Sequence, residues 1–188
     1  MKKRAIIFGL LSIVIALAVA CKKEKKKTVT TPTNPNEQEL ITTFKIVFTD
    51  ANGVLPNVEA QFVDIDGPGG NNPTVFDTIR LAANATYNAT ITLLNEAAIP
   101  AQNITEEVEE EGVDHLFCFD LTGGLNAVIT KTDLDANNLP IGITSQWTLG
   151  NASTGTSTIR LRHQPGVKNG QCDVGETDIE LNFHTVIQ

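Results

Sequence analysis

FKIVFTD, residues 44–50, carries the alternation on which the fold turns: Phe44, Ile46 and Phe48 fall on one side of an extended chain, and Lys45, Val47 and Thr49 on the other. A period of two with one strongly apolar face marks a half-buried strand. Asp50-Ala51-Asn52-Gly53 then turns the chain, and Val58 to Ile65 reads as a second strand, stopped by GPGGNNP at 67–73. Working outward, strands are expected over 74–81, 86–95, 115–121, 126–132, 143–149, 156–163 and 177–187, about nine in all. Only 103–111 has a helical pattern. There Thr105 is placed to cap, Glu106, Glu107 and Glu109 favour the first turns, and Ile104 with Val108 forms one apolar stripe. Short strands separated by turns rich in Gly, Pro and Asn predict an all-β fold, an antiparallel β-sandwich of immunoglobulin-like or related type, with one short helix. By parity Trp147, the only tryptophan, shares a face with Ile143 and Ser145 and belongs to the core.

The amino-terminal segment has a different grammar. Met1 to Arg4 are basic, and Ala5 to Ala20 are sixteen residues without a charge, ending in Ala18, Val19 and Ala20 directly before Cys21. A membrane span needs about 20 apolar residues. The shorter run reads as an export signal over 1–20, cut before Cys21, whose thiol becomes the lipid acceptor. The competing reading is an uncleaved anchor helix with an incidental cysteine. Two or more acyl chains on one residue hold a protein stably on a bilayer. Residues 21–38 then form a lipidated, basic and polar tether: Lys22, Lys23, Lys25, Lys26 and Lys27 lie near headgroups or in solvent, and TVTTPTNPN at 28–36 is an extended spacer. The folded domain is expected over 39–188.

That domain has room for one core. From Leu40 onward six Lys or Arg stand against nineteen Asp or Glu, a balance of −13 that the whole-chain value of −8 conceals. Such a body repels phosphate backbones, so nucleic acid is excluded as a partner, whereas cations are tolerated. Export implies an oxidising compartment, in which Cys118 and Cys172 either form a disulfide or remain as a buried thiol and a loop thiol.

No nucleophile with its base, no phosphate loop and no GxSxG setting is legible, which favours a non-enzymatic protein. Metal binding is the more substantive candidate. His115 and His163, with a helix carboxylate such as Glu110 or Glu111, can assemble a site for Zn or Cu, since imidazole suits both; the alternative is a pair of hydrogen-bonded rim histidines. Parity places His163 on the face of Ile159 and Leu161, and sends His184 outward with Asp178, Glu180 and Asn182. Asp133, Asp135 and Asn137 set oxygens at alternate positions, as a Ca²⁺ loop does, although Asn138 stands where that loop wants Gly and turn chemistry competes. Arg160 and Arg162 can pair across strands with Asp178 or Glu180. Asp77-Thr78-Ile79 matches a short O-glycosylation signal, with Thr78 as acceptor.

The lipobox-like end, TTFKIVFTD, TLLNEAAIPAQNITEEVEEEGVDHLFCF, DLDANNLPIGITSQWTLG and LRHQPGVKNG followed by GETDIELNF together resemble a family of small exported lipoproteins of Bacteroidota, over about residues 38–188. Members often stand beside TonB-dependent outer-membrane receptors, and some carry a type 1 periplasmic binding fold label, which the absence of alternating βα units here does not match. The resemblance implies an outer-membrane lipoprotein. It would act as an accessory that binds a small ligand or metal, or docks on a receptor, during uptake. The basic residues after Cys21 favour the periplasmic face over the cell surface. Loops 67–73, 133–140 and 164–176 would then form the recognition surface. The alternative is a structural or adhesive envelope module that binds protein or glycan through a strand edge or loop tip.

Overall fold

The computed structural model describes residues 39–188; the segment read as an export signal over 1–20, Cys21 and the segment read as a tether over 22–38 lie outside the described residues. The body is mostly β, with two sheets packed face to face. The larger sheet contains β1 (Thr43–Asp50), β2 (Val58–Val63), β3 (Val75–Phe76), β5 (Thr86–Asn95), β6 (Gln102–Asn103), β8 (Ala127–Lys131) and β9 (Thr144–Leu149). Its order is β3-β2-β1-β5-β9-β8, with β6 paired to β5. The smaller sheet runs β4 (Ile79–Leu81), β11 (Glu176–Ile187), β10 (Ser153–His163) and β7 (His115–Thr122). Every pairing is antiparallel except β4 with β11.

The described strands number eleven rather than nine. The run 74–81, expected as one strand, breaks at Asp77 and Thr78: β3 pairs with β2, while β4 crosses to the other sheet and pairs with β11. Asp77 holds the corner, because its carboxylate accepts the Gln61 backbone N–H that β3 would otherwise have bonded. Thr78 sits half-buried at this corner.

The alternation in FKIVFTD becomes the core. Phe44, Ile46 and Phe48 are fully buried, and each large apolar side chain removed from water contributes roughly 2–3 kcal/mol. The sheets meet through aromatic contacts, Phe44 on Phe183 at 5.6 Å and Phe119 edge-on to Trp147 at 6.0 Å between ring centroids. Trp147 is buried as parity requires, and its indole N–H donates to Ser145 Oγ at 3.1 Å, which leaves no unsatisfied donor in the core.

Helix α1 (Ile104–Glu110) lies where its pattern placed it, but Asn103 caps it, not Thr105. Asn103 Oδ1 accepts the Thr105 backbone N–H, which frees the Thr105 hydroxyl to bond the Leu93 backbone at both N–H (2.7 Å) and C=O (3.2 Å). Thr105 therefore fastens the helix to β5.

Candidate functional site

The site grows from one end of the smaller sheet, where β7 begins, β10 ends and β11 begins. Antiparallel pairing of β7 with β10 sets His115 opposite His163. Directly opposed side chains share a face at about 5 Å, and the two imidazoles stack with centroids 4.8 Å apart and planes within 5°. Both are buried, at 0% and 5% exposure. The turn that leaves α1 fixes the orientation of His115: Nδ1 lies 3.2 Å from the Glu111 carbonyl oxygen. A carbonyl only accepts, so Nδ1 carries the hydrogen and Nε2 presents a bare lone pair. Burial lowers the His115 pKa to about 4, against the pull of the Glu111 carbonyl, and the ring is uncharged at neutral pH.

Asp178 is the residue that sequence parity misplaced. The β10–β11 register pairs Leu161 with Ile179 and then Arg162 with Thr177, which leaves Asp178 as the extra residue of a bulge. A bulge interrupts alternation and re-aims a side chain. Asp178 consequently turns inward, its side chain fully buried, with Oδ2 3.9 Å from His115 Nε2. Apart from the Glu39 backbone, which approaches its carboxylate, Asp178 has no hydrogen-bond donor among the described residues, and His115 Nε2 has none. Burial raises the Asp178 pKa to about 6, with His163 and the Glu39 backbone pulling the other way. Of the expected cross-strand pairs, Arg160 with Glu180 forms and those to Asp178 do not. Arg160 bonds Asp120 and Glu180, and Arg162 instead grips the Val174 and Gly175 carbonyls and the Thr177 hydroxyl.

A ligand atom from each of His115, His163 and Asp178 lies within 4.8 Å of the others. Glu39, Glu111 and His115 form a second such group, so His115 is common to both. Of the two helix carboxylates considered from sequence, the structure brings in Glu111 and leaves Glu110 exposed. Burial raises the Glu111 pKa, partly offset by His163. Asp178 also lines a cleft of about 420 Å³ with Glu39, Leu40, Ile41, Phe62, Asp64 and Pro68. His184 points away from it, exposed and opposite Thr156 on β10.

The remaining candidates sort differently. Cys118 and Cys172 are joined in a disulfide, with Cα atoms 6.0 Å apart, so neither sulfur is available as a ligand. Of the Ca²⁺-loop candidates Asp133, Asp135 and Asn137, the two carboxylates are engaged by the protein itself. Asp133 accepts the Gly142 and Thr144 backbone N–H groups, and Asp135 accepts those of Asn137 and Leu139 while its second oxygen pairs with Lys168. The carboxylates are committed to turn chemistry, and Asn138 adopts φ 60°, the left-handed geometry that the loop demands. Loops 133–140 and 164–176 meet through the Lys168–Asp135 pair, at the same end as the histidines.

Among the described residues no helix is long and apolar enough to cross a membrane. No protein-family model, curated protein or solved structure matches the chain.

Proposed function

We propose that the chain is a lipid-anchored, non-enzymatic accessory protein of the bacterial envelope. On this reading Cys21 holds it on the periplasmic face of the outer membrane, and the sandwich captures a small ligand or metal ion during uptake through a TonB-dependent receptor. The observation that carries the capturing role is the buried pair of acceptors His115 Nε2 and Asp178, 3.9 Å apart, with Asp178 lining an open cleft. Stable folds keep buried polar atoms hydrogen-bonded, so a pocket that presents bare acceptors is built for something that enters it. The attachment is supported by the charge-free run that ends at Cys21 and by the lysine-rich, then polar and proline-containing sequence that follows it.

The test is fractionation of the full-length protein in cells fed an alkyne fatty acid. The mature protein is expected to carry the label and to sediment with outer membrane, and Cys21→Ser to lose both. Crosslinking in intact cells is expected to capture a TonB-dependent receptor. A wild-type protein recovered in the soluble fraction without lipid would remove the basis for this role.

A further inference from the structure

The geometry points to a site for one divalent first-row transition ion of the Zn²⁺ class, held by His115 Nε2, a ring nitrogen of His163 and the Asp178 carboxylate. It deepens the proposed function by naming what the pocket takes, and it rests on that reading only for the biological use of the ion.

Three adjacent strands, β7, β10 and β11, each deliver one donor to the same inner face. Two are imidazoles and one is a carboxylate, the set that protein sites with an open coordination position use for zinc. His115 is already arranged as a ligand: its far nitrogen is tied to the Glu111 carbonyl, which fixes the tautomer and points the lone pair of Nε2 at Asp178. His115 Nε2 and the Asp178 carboxylate are two acceptors that face each other at 3.9 Å, and a cation held by both satisfies both.

The protein's own cations do not fill the role. The two whose charge reaches the cluster are Lys168 and Arg162. Lys168 is bound to Asp135 and the Gly112 carbonyl, and Arg162 to the carbonyls of Val174 and Gly175. The donor set also selects the ion. Nitrogen donors disfavour Ca²⁺ and Mg²⁺, and the disulfide removes the thiolates that Cu(I) prefers.

Bonds of about 2.0–2.1 Å at tetrahedral angles put donors roughly 3.4 Å apart. To bind, the cluster, with donors within 4.8 Å, contracts by about an ångström and the two stacked rings rotate out of their parallel planes so that both lone pairs meet the ion. Glu111 and Glu39 stand within 4.8 Å of His115 and are placed to add a fourth oxygen.

The experiment uses the mature full-length protein, purified in detergent, stripped with chelator and titrated with Zn²⁺ against a chromophoric competitor, with metal content read by mass spectrometry. One equivalent per chain is expected, with His115→Ala, His163→Ala and Asp178→Asn each weakening binding by more than about 100-fold. His184→Ala, which removes the exposed outward histidine, is expected to leave affinity unchanged. Asp178→Asn is close to isosteric, and a melting curve for each variant separates loss of the site from loss of the fold. X-ray absorption on the zinc-loaded wild type is expected to show nitrogen and oxygen donors with imidazole scattering and no sulfur. Binding equal in wild type and folded Asp178→Asn, loss on His184→Ala, or no stoichiometric ion in the wild type would each overturn the site. None of these results depends on the lipid, so the site can fail while the Cys21 anchor stands, and the reverse.

Discussion

Lys168 Nζ lies 2.7 Å from Asp135 Oδ2, and the two side chains are 2% and 0% exposed. The same ammonium donates to the Gly112 carbonyl at 2.7 Å, so one side chain joins loop 164–176, loop 133–140 and the turn that carries α1 into β7. His115 lies three residues beyond Gly112, and His163 directly precedes loop 164–176.

Removing the cation there leaves a carboxylate buried without its partner. Lys168→Met is expected to lower unfolding free energy by roughly 3 kcal/mol or more, the range for breaking a buried pair. Arg160→Met is the contrast, since Asp120 and Glu180 are 55% and 45% exposed. It is expected to cost less than about 1 kcal/mol. Urea denaturation of the two variants beside wild type measures both.

The Cys118–Cys172 disulfide spans a sequence separation of 54 and closes the smaller sheet onto loop 164–176. Loop-closure entropy for that separation gives about 4 kcal/mol of stabilisation. The double variant Cys118→Ala/Cys172→Ala is expected to lose on the order of that amount, read as a lower denaturation midpoint with a similar slope. A loss under about 1 kcal/mol would show that the loop is ordered by the Arg162 and Gln164 hydrogen bonds alone.

Glu107 is buried on α1, and burial, reinforced by Glu111 and Glu110, raises its pKa above the ordinary 4.5. The folded state then holds the proton more tightly than the unfolded chain. Stability is therefore lost as pH rises from that value through the folded pKa, and the loss is complete at neutral pH. Glu107→Gln removes the penalty. In metal-free buffer its melting temperature is expected to exceed wild type by about 2–4 °C at neutral pH and to match it below about pH 4. An equal gain at both pH values would assign the effect to packing.

Gly155 lies on β10 where β7 ends, and a Cβ there would sit on the Thr122 backbone carbonyl. Backbone cannot rotate aside as a side chain can. Gly155→Ala is expected to destabilise by about 3 kcal/mol, as overpacking does, and to displace β10 from β7. Thermal melts and the amide chemical shifts of 119–123 and 154–157 check this.

Much of the candidate site was legible in order but not in assembly. His115, His163 and the carboxylate of Glu111 could be named from residue type and strand parity, because alternation holds along β7 and β10 until their ends. Asp178 was sent outward by the same rule, and β11 breaks the rule with one bulge. No residue type signals that bulge: Glu176-Thr177-Asp178-Ile179 alternates acceptably, and the misfit exists only against the register of β10. Glu39 was read as the start of the folded chain, and nothing in its neighbours says that it returns to a helix terminus far along the sequence.

Local chemistry by itself determined the class of fold. An apolar face repeated every second residue has one low-energy use, burial against another sheet, and the turns rich in Gly, Asn and Asp limit strand length wherever they occur. The sequence also fixed which short segment becomes a helix, and that Asp133 and Asp135 sit where backbone N–H groups need acceptors. Tertiary structure alone decided that 74–81 divides between two sheets, that Asp135 takes Lys168 as its partner, and that three strands bring two imidazoles and a carboxylate within 4.8 Å of one another. Those outcomes depend on pairing register and on contacts between residues distant in the chain. Such contacts are chosen by the packing of the whole body, and no window of sequence contains that information.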